Sequence, residues 1–424
     1  MNIVIGIIIG FFILMLLIVA HEAGHYIAAR RNGIEVEEFG IGFPPRAKAW
    51  VKNPDYIKWK AARKKDKSKT EGKKPKKWLR LPRSEWNKKQ KTLVFSLNWL
   101  PIGGFCSMKG ESDSDKRPHS FGAASFWSKT KILFAGVAMN WLVAFIIMTI
   151  LSWTGMPEFM DNQFTMPGDT SISPATIVVK NVVDDSPAAT AGFAPDDQIL
   201  SASSGDASAS FTTASDITNF NNTYAGDAVT YKIYRPSTGQ NLDLTAVLNP
   251  NDTEYRLGIT MSQESQALYH STWSAPIVGA VNTVQLTGET YRGLWNMLKS
   301  LCSGIGKQLS SDESVRSDGQ SEIQAVGDSV SGPVGIIGVL FPNSVSAGPT
   351  TLAFLTAIIS ISLACMNILP IPALDGGRFC LIALFRLRGK TLTKETEEKI
   401  VSRAFIFLLI LIAIVTVLDI TRFF

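Results

Sequence analysis

Ala20-His21-Glu22-Ala23-Gly24-His25 closes an apolar run that begins at Ile3 and carries neither charge nor hydrogen-bonding side chain until His21. A run of about 18 apolar residues approaches the length a helix needs to cross hydrocarbon. A carboxylate such as Glu22 in that setting is costly and rarely kept without a function. The His-Glu-x-x-His chemistry therefore has to be reconciled with a membrane position.

Three further stretches are almost purely apolar: Ile132–Trp153, Leu352–Leu369 and Ala404–Leu418. With the first they predict four transmembrane helices. The first run lacks a basic leader and a small-x-small cleavage site, which favours a retained helix over a secretory signal. The net charge of +6 is unevenly placed, since well over half of the 42 Lys and Arg lie between Arg30 and Lys131. By the positive-inside rule that loop is cytoplasmic, so the first helix runs from outside to inside and the 178–308 region is extracytoplasmic. A basic loop between two spans points to topology and anionic-lipid contact rather than to nucleic acid. The four cysteines, Cys106, Cys302, Cys365 and Cys380, lack metal-ligand spacing, and the topology leaves no pair to form a disulfide framework.

In order, the chain divides into residues 1–31, a helix carrying the motif; 32–130, a basic cytoplasmic loop; 131–155, the second span; 170–262, a small β-rich domain; 272–309, an interfacial amphipathic helix with Trp273, Tyr291 and Trp295; 310–350, a loop; 351–388, the third span with Leu374-Asp375-Gly376; and 403–424, the fourth. Residues 60–77 are dense in Lys and read as a solvated, mobile insertion. Residues 92–108 read as a hairpin of apolar strands turning at Pro101–Gly104, too apolar for an ordinary cytoplasmic sheet. A hairpin dipping into the membrane accounts for it, where protein covers its backbone. Two prolines, Pro370 and Pro372, break the third helix just before Asp375.

In a helix His21 and His25 are i and i+4, so their imidazoles share one face, the spacing of two ligands on one Zn2+. Glu22 points off that face and suits a base acting on a metal-bound water. The third ligand comes from elsewhere. His119 and His270 lie in polar stretches and read as surface histidines. Asp375 is an acid at the inner end of an apolar helix running the same way as the first, which completes a site with one open position. A zinc ion lowers the pKa of its water and polarises a carbonyl, Glu22 takes the proton and later passes it to the leaving amine, and no acyl-enzyme forms. The substrate is then a peptide bond within a membrane segment, which must unwind to expose its carbonyl. The strand edge at Gly103 and Gly104, with the amides of Asn140 and Asn367, is suited to hold the freed backbone groups. The blander readings are that His21 and His25 satisfy each other between helices, that Asp375 caps a helix after the proline break, and that Gly136-x-x-x-Asn140 is an ordinary helix-packing motif.

These residues resemble the site-2 protease family of intramembrane zinc metalloproteases, in its bacterial regulator of sigma-E protease type. The resemblance rests on His21-Glu22-x-x-His25, on Gly136-x-x-x-Asn140 and on Asn367-x-x-Pro370-x-Pro372-x-Leu374-Asp375-Gly376, in that order, with support from Phe39–Phe43, Gly103-Gly104-Phe105 and Ser331-Gly332-Pro333-Val334. It implies zinc ligands at His21, His25 and Asp375, a catalytic base at Glu22, and substrate-holding amides at Asn140 and Asn367. It also implies a polytopic protein of the bacterial inner membrane with one extracytoplasmic PDZ-like domain. Its substrates would be transmembrane proteins already clipped outside, such as anti-sigma factors or signal-peptide remnants. Asp196 departs from the pattern, because PDZ domains usually carry Gly there. A zinc-binding scaffold without turnover is the alternative, against which the intact Glu22 argues, and a metal transporter would need further intramembrane acids along a path.

Overall fold

The computed structural model of the chain describes residues 2–65, 75–86, 90, 92–160, 162–173, 176–211, 213–250, 255–263, 268–310, 312–329 and 332–423. Its elements run α1 (Asn2–Arg31), β1 (Val36–Lys52), α2 (Pro54–Lys65), β2 (Trp78–Arg80), β3 (Val94–Met108), α3 (Phe126–Thr154), β4 (Met156–Pro157), β5 (Ser171–Ser173), β6 (Ile177–Val182), α4 (Pro187–Ala191), β7 (Gln198–Ser204), β8 (Ala207–Ser210), α5 (Ala214–Thr223), β9 (Ala228–Arg235), β10 (Gln240–Val247), β11 (Ile259–Gln263), β12 (Leu268–His270), α6 (Ala275–Gln308), α7 (Glu313–Ser329), α8 (Pro333–Gly335), a π-helical turn (Ile336–Leu340), α9 (Phe341–Ala347), α10 (Pro349–Ile368), α11 (Asp375–Leu387) and α12 (Lys394–Phe423). They form two units, Met1–Ile147 with Thr283–Phe424, and Met148–Asn282.

In the first unit, α1, α3, α10 and α12 are long and apolar enough to cross a membrane. Phe405, Phe407, Ile410 and Ile414 of α12 point outward, which water would punish and lipid tails accept. The motif helix α1 ends at its basic pair. There the Asn32 amide donates to the Ala28 carbonyl at 2.8 Å and Gly33 turns the chain at φ +77°, a C-terminal stop that favours glycine. The third expected span, residues 351–388, divides into α10 and α11. A turn joins them, closed by Leu374 N–H donating to the Ile371 carbonyl at 2.8 Å. Proline at 370 and 372 cannot continue a helix, and the Gly376-Gly377 pair sits where side chains have no room. A Cβ on Gly376 would lie 2.0 Å from the Ile368 oxygen, and one on Gly377 1.9 Å from that of Ile371.

Three features differ from the sequence expectations. First, β3 is one long bent strand, and its arms do not pair with each other. Residues 38–41 of β1 lie between them, in register with 104–107 on one side (Glu38↔Ser107, Ile41↔Gly104) and with 94–97 on the other (Glu38↔Val94, Ile41↔Leu97). Aromatic packing cements that arrangement, with Tyr26 of α1 at 5.7 Å from Phe39 and Phe39 at 5.5 Å from Phe95. Second, residues 310–350 are mostly helical. α7 forms from a weakly helical Ser/Asp/Gly sequence because it lies along α6, with Lys307 paired to Glu322 at 2.8 Å and Gly304 against Ile323; tertiary contact overrides local propensity. Third, residues up to Lys65 of the Lys-rich stretch are helical in α2, while 66–74 lie outside the described residues. Near the other end, the buried Asp419 of α12 accepts the N–H groups of Gly332 (3.1 Å) and Gly335 (2.8 Å) and so caps α8.

The second unit is built on a six-stranded sheet, β10-β9-β7-β6-β11 with β8 on β7. Its core gathers Ile177, Val179, Ile199, Tyr231 and Ile233 with the helices α4 and α5. Ser186 caps α4 by accepting from Ala189 N–H, and Thr213 with Asp216 makes a reciprocal capping box at α5. Asp196 adopts φ +69°. That left-handed conformation suits glycine, which explains why Asp is the unusual residue there. The next residue, Asp197, is fully buried and paired with Arg235 at 2.7 Å.

Candidate metal centre

The long helix α1 carries His21 and His25 one turn apart, both more than nine-tenths buried. The turn after α10 delivers Asp375 to them. His21 Nε2 lies 3.0 Å from Asp375 Oδ2, His25 Nε2 3.3 Å from the same oxygen, and the two Nε2 atoms are 3.1 Å apart. Ligand atoms at about 2.0–2.1 Å from a tetrahedral zinc stand roughly 3.3 Å from one another. The triangle is close to that size, and two imidazole nitrogens with one carboxylate oxygen are a donor set zinc favours. Among the described residues no other group of three His, Cys, Asp or Glu ligand atoms converges in this way.

Helix α3 backs the site. His25 Nδ1 lies 2.7 Å from the Ile132 carbonyl oxygen. A carbonyl can only accept, so Nδ1 carries the proton and Nε2 keeps its lone pair for a metal. Gly136 faces both imidazoles, and a Cβ there would come within 2.6 Å of His21 Nε2 and His25 Nε2. One turn further, Asn140 Nδ2 lies 3.4 Å from His21 Nδ1. The glycine opens the space that the two rings fill, and the asparagine reaches the back of one of them.

Glu22 lies beside Cys106 at the edge of the ligand triangle. It shares a cavity of about 270 Å³ with His21, His25, Asn367, Asp375 and Arg378. Gly104 lies against it, with a Cβ position 3.7 Å from Glu22 Cγ. Gly103 bends the strand at φ +85° against Phe43. Thus Glu22 and Asn367 face the space beside the ligand triangle, Gly104 packs against Glu22, and Asn140 sits behind His21 at 1% exposure. His119 is exposed and bonds the Gly33 carbonyl; His270 is in β12 of the second unit.

Arg378 is the residue the motif reading passed over. It stands three positions after Asp375, on the same helix face. Its Nε donates to Glu397 at 3.0 Å, its Nη2 to the Glu111 carbonyl, and its guanidinium lies 5.0 Å from the Phe121 ring centroid. It borders a second cavity of about 660 Å³ that adjoins the first at Met108, Glu111, Leu374 and Asp375. On that cavity's wall Arg117 and its backbone N–H hold the Asp115 carboxyl down to about 2. An arginine one turn past a lone acid, at the start of a largely apolar helix, was the available signal.

Two imidazoles and a carboxylate, with a second carboxylate beside them, offer the donor set and the open side that a zinc peptidase needs. A family model described as "Peptidase family M50" matches residues 9–56 and 79–412. The chain therefore belongs to that family, the site-2 proteases, and is a zinc metalloprotease with Zn2+ as its cofactor. The unmatched residues 57–78 contain the Lys-rich stretch. The chain is 26% identical over 405 residues to "Putative zinc metalloprotease CPE1693" of Clostridium perfringens, covering 95% of each protein. It is 24% identical over 409 residues to "Putative zinc metalloprotease Atu1380" of Agrobacterium fabrum, covering 91% of this chain and 88% of that protein. To "Zinc metalloprotease RasP" of Shouchella clausii it is 27% identical over 310 residues, 72% of this chain and 62% of that one.

Proposed function

We propose that this protease hydrolyses peptide bonds inside transmembrane segments of membrane proteins already cut on their outer side, anti-sigma factors and signal-peptide remnants among them. The convergence of His21, His25 and Asp375 within 3.0–3.3 Å on apolar helices carries the reading. His21, His25 and Asp375 hold the zinc. The ion supplies Lewis acidity and a water of near-neutral pKa when bound. Glu22, facing the same cavity, removes the proton of the attacking water and returns it to the departing amine. Asn367 offers an amide to the unwound substrate, and the strand edge at Gly103 and Gly104 offers backbone groups for it to pair with. The enzyme works in the bacterial inner membrane with its site toward the cytoplasm. Its second unit serves as a PDZ-like extracytoplasmic domain that turns away substrates with bulky outer portions.

The test is a Glu22→Gln protein purified in detergent and given a transmembrane peptide. Zinc content should stay at one per chain while cleavage falls by at least about 100-fold, the scale of a lost general base. Undiminished cleavage by Glu22→Gln rules out the assigned base. Zinc binding with no cleavage in the unaltered protein would favour an inactive scaffold.

A further inference from the structure

Asn140 is buried to 1% exposure in the middle of α3. Its backbone carbonyl accepts from Ser360 Oγ of α10 at 2.8 Å, which fixes its place between two helices. Its amide nitrogen meets His21 Nδ1 at 3.4 Å, while its amide oxygen is buried with no hydrogen-bond partner. A buried acceptor without a donor is uncommon in a folded protein. The direction His21 needs is the opposite one. With its Nε2 lone pair given to zinc, a neutral imidazole carries its one proton on Nδ1 and must donate it. A half-turn of the amide puts Oδ1 where Nδ2 stood. It removes a donor facing a donor and gives the orphaned oxygen its partner. The Ile132 carbonyl does the same for His25 at 2.7 Å.

We infer that Asn140 is a positioning residue for the metal: in the zinc-loaded protein its Oδ1 accepts the Nδ1–H of His21, which fixes the ring's tautomer and aim. This rests on the proposed ligand set, and it moves Asn140 from holding substrate to holding a ligand. It also divides the labour within Gly136-x-x-x-Asn140. The glycine admits the rings, and the asparagine orients one of them.

Full-length protein in detergent micelles is titrated with zinc against a chromophoric chelator. Asn140→Leu, which removes the acceptor at similar volume, should weaken zinc by about 10–100-fold, as lost outer partners of metal-bound histidines do. Asn140→Asp, which can only accept, should stay near the unaltered protein. Unchanged affinity in Asn140→Leu, or a loss in Asn140→Asp as large as in Asn140→Leu, overturns the inference. A second measurement needs no folded variant. Long-range proton–nitrogen correlation of histidine-labelled zinc protein, which has only four histidines, reports each ring's tautomer. His21 should show zinc at Nε2 and a slowly exchanging proton on Nδ1. A freely exchanging Nδ1 proton refutes the role of Asn140 while leaving the ligands intact. Zinc absent from His21 refutes the ligand set itself.

Discussion

Gly136→Ala is the smallest change that tests the centre, since it adds one methyl group against the two imidazoles. That methyl carbon would lie 2.6 Å from His21 Cε1, His21 Nε2 and His25 Nε2. Ordinary contact begins near 3.5 Å, so the rings would have to retreat by roughly 0.9 Å. They have little room to do so. His25 is held by the Ile132 carbonyl at 2.7 Å and His21 has Asp375 at 3.0 Å. Zinc–ligand distances tolerate about 0.2 Å. We therefore expect zinc affinity to fall by about 100-fold, roughly 2.7 kcal/mol, with an overpacking cost of about 1–3 kcal/mol in the zinc-free protein. Chelator competition reads the first quantity and thermal unfolding of the zinc-free forms the second. Gly293→Ala, a helical position open to solvent or lipid, is the control and should leave zinc binding unaltered. A Gly136→Ala protein that binds zinc as tightly as its parent would show that the imidazoles do not face α3 at this point.

Gly377→Ala should cost more than Gly136→Ala, because its methyl would meet the backbone of Ile371 and Pro372 within 2.5 Å. The 369–374 turn has to open, Asp375 leaves the triangle, and both bound zinc and melting temperature drop; retention of both would disprove the turn. In the second unit, the hydroxyl and N–H groups of Ser274 and Thr272 hold the Asp169 carboxyl down to about 2, below its ordinary 3.8. A depressed acid stabilises the fold above its ordinary value and loses that contribution as pH falls through the lowered one. Hydrogen exchange of the Thr272 and Ser274 amides should accelerate on acidification from about pH 4 to pH 2 beyond the intrinsic rate. Asp169→Asn should remove that dependence, and equal protection at both pH values would contradict the assignment.

The outline of this centre was open to a sequence reading because each of its parts breaks a strong pattern. Two histidines and a glutamate ending an apolar run, and an aspartate after two prolines, are expensive in hydrocarbon and so visible. The helix period put His21 and His25 on one face, and matching depth nominated Asp375. What stayed hidden has no side-chain signature of its own. The Ile132 carbonyl belongs to a residue that reads as plain core. The interleaving of β1 between the arms of β3 depends on pairing over more than 50 positions, where any apolar strand looks eligible. Helix α7 has a Ser, Asp and Gly content that favours loops, and only its alignment on α6 makes it helical.

Between helices in hydrocarbon there is no hydrophobic force to close a gap, since lipid tails are as apolar as the side chains they would replace. Precision has to come from backbone approach and from hydrogen bonds that hydrocarbon cannot satisfy. This protein uses both where His21, His25 and Asp375 meet. Gly24 and Gly136 bring α1 onto α3, Gly376 and Gly377 seat α11 on the turn that follows α10, and Ser360 ties α10 to the Asn140 carbonyl. These contacts fix where the backbones run, and they leave little adjustment for side chains to make. The geometry of the proposed zinc site is therefore set by where the helices touch. The apolar surface around it, for all its bulk, determines only that the protein is in the membrane.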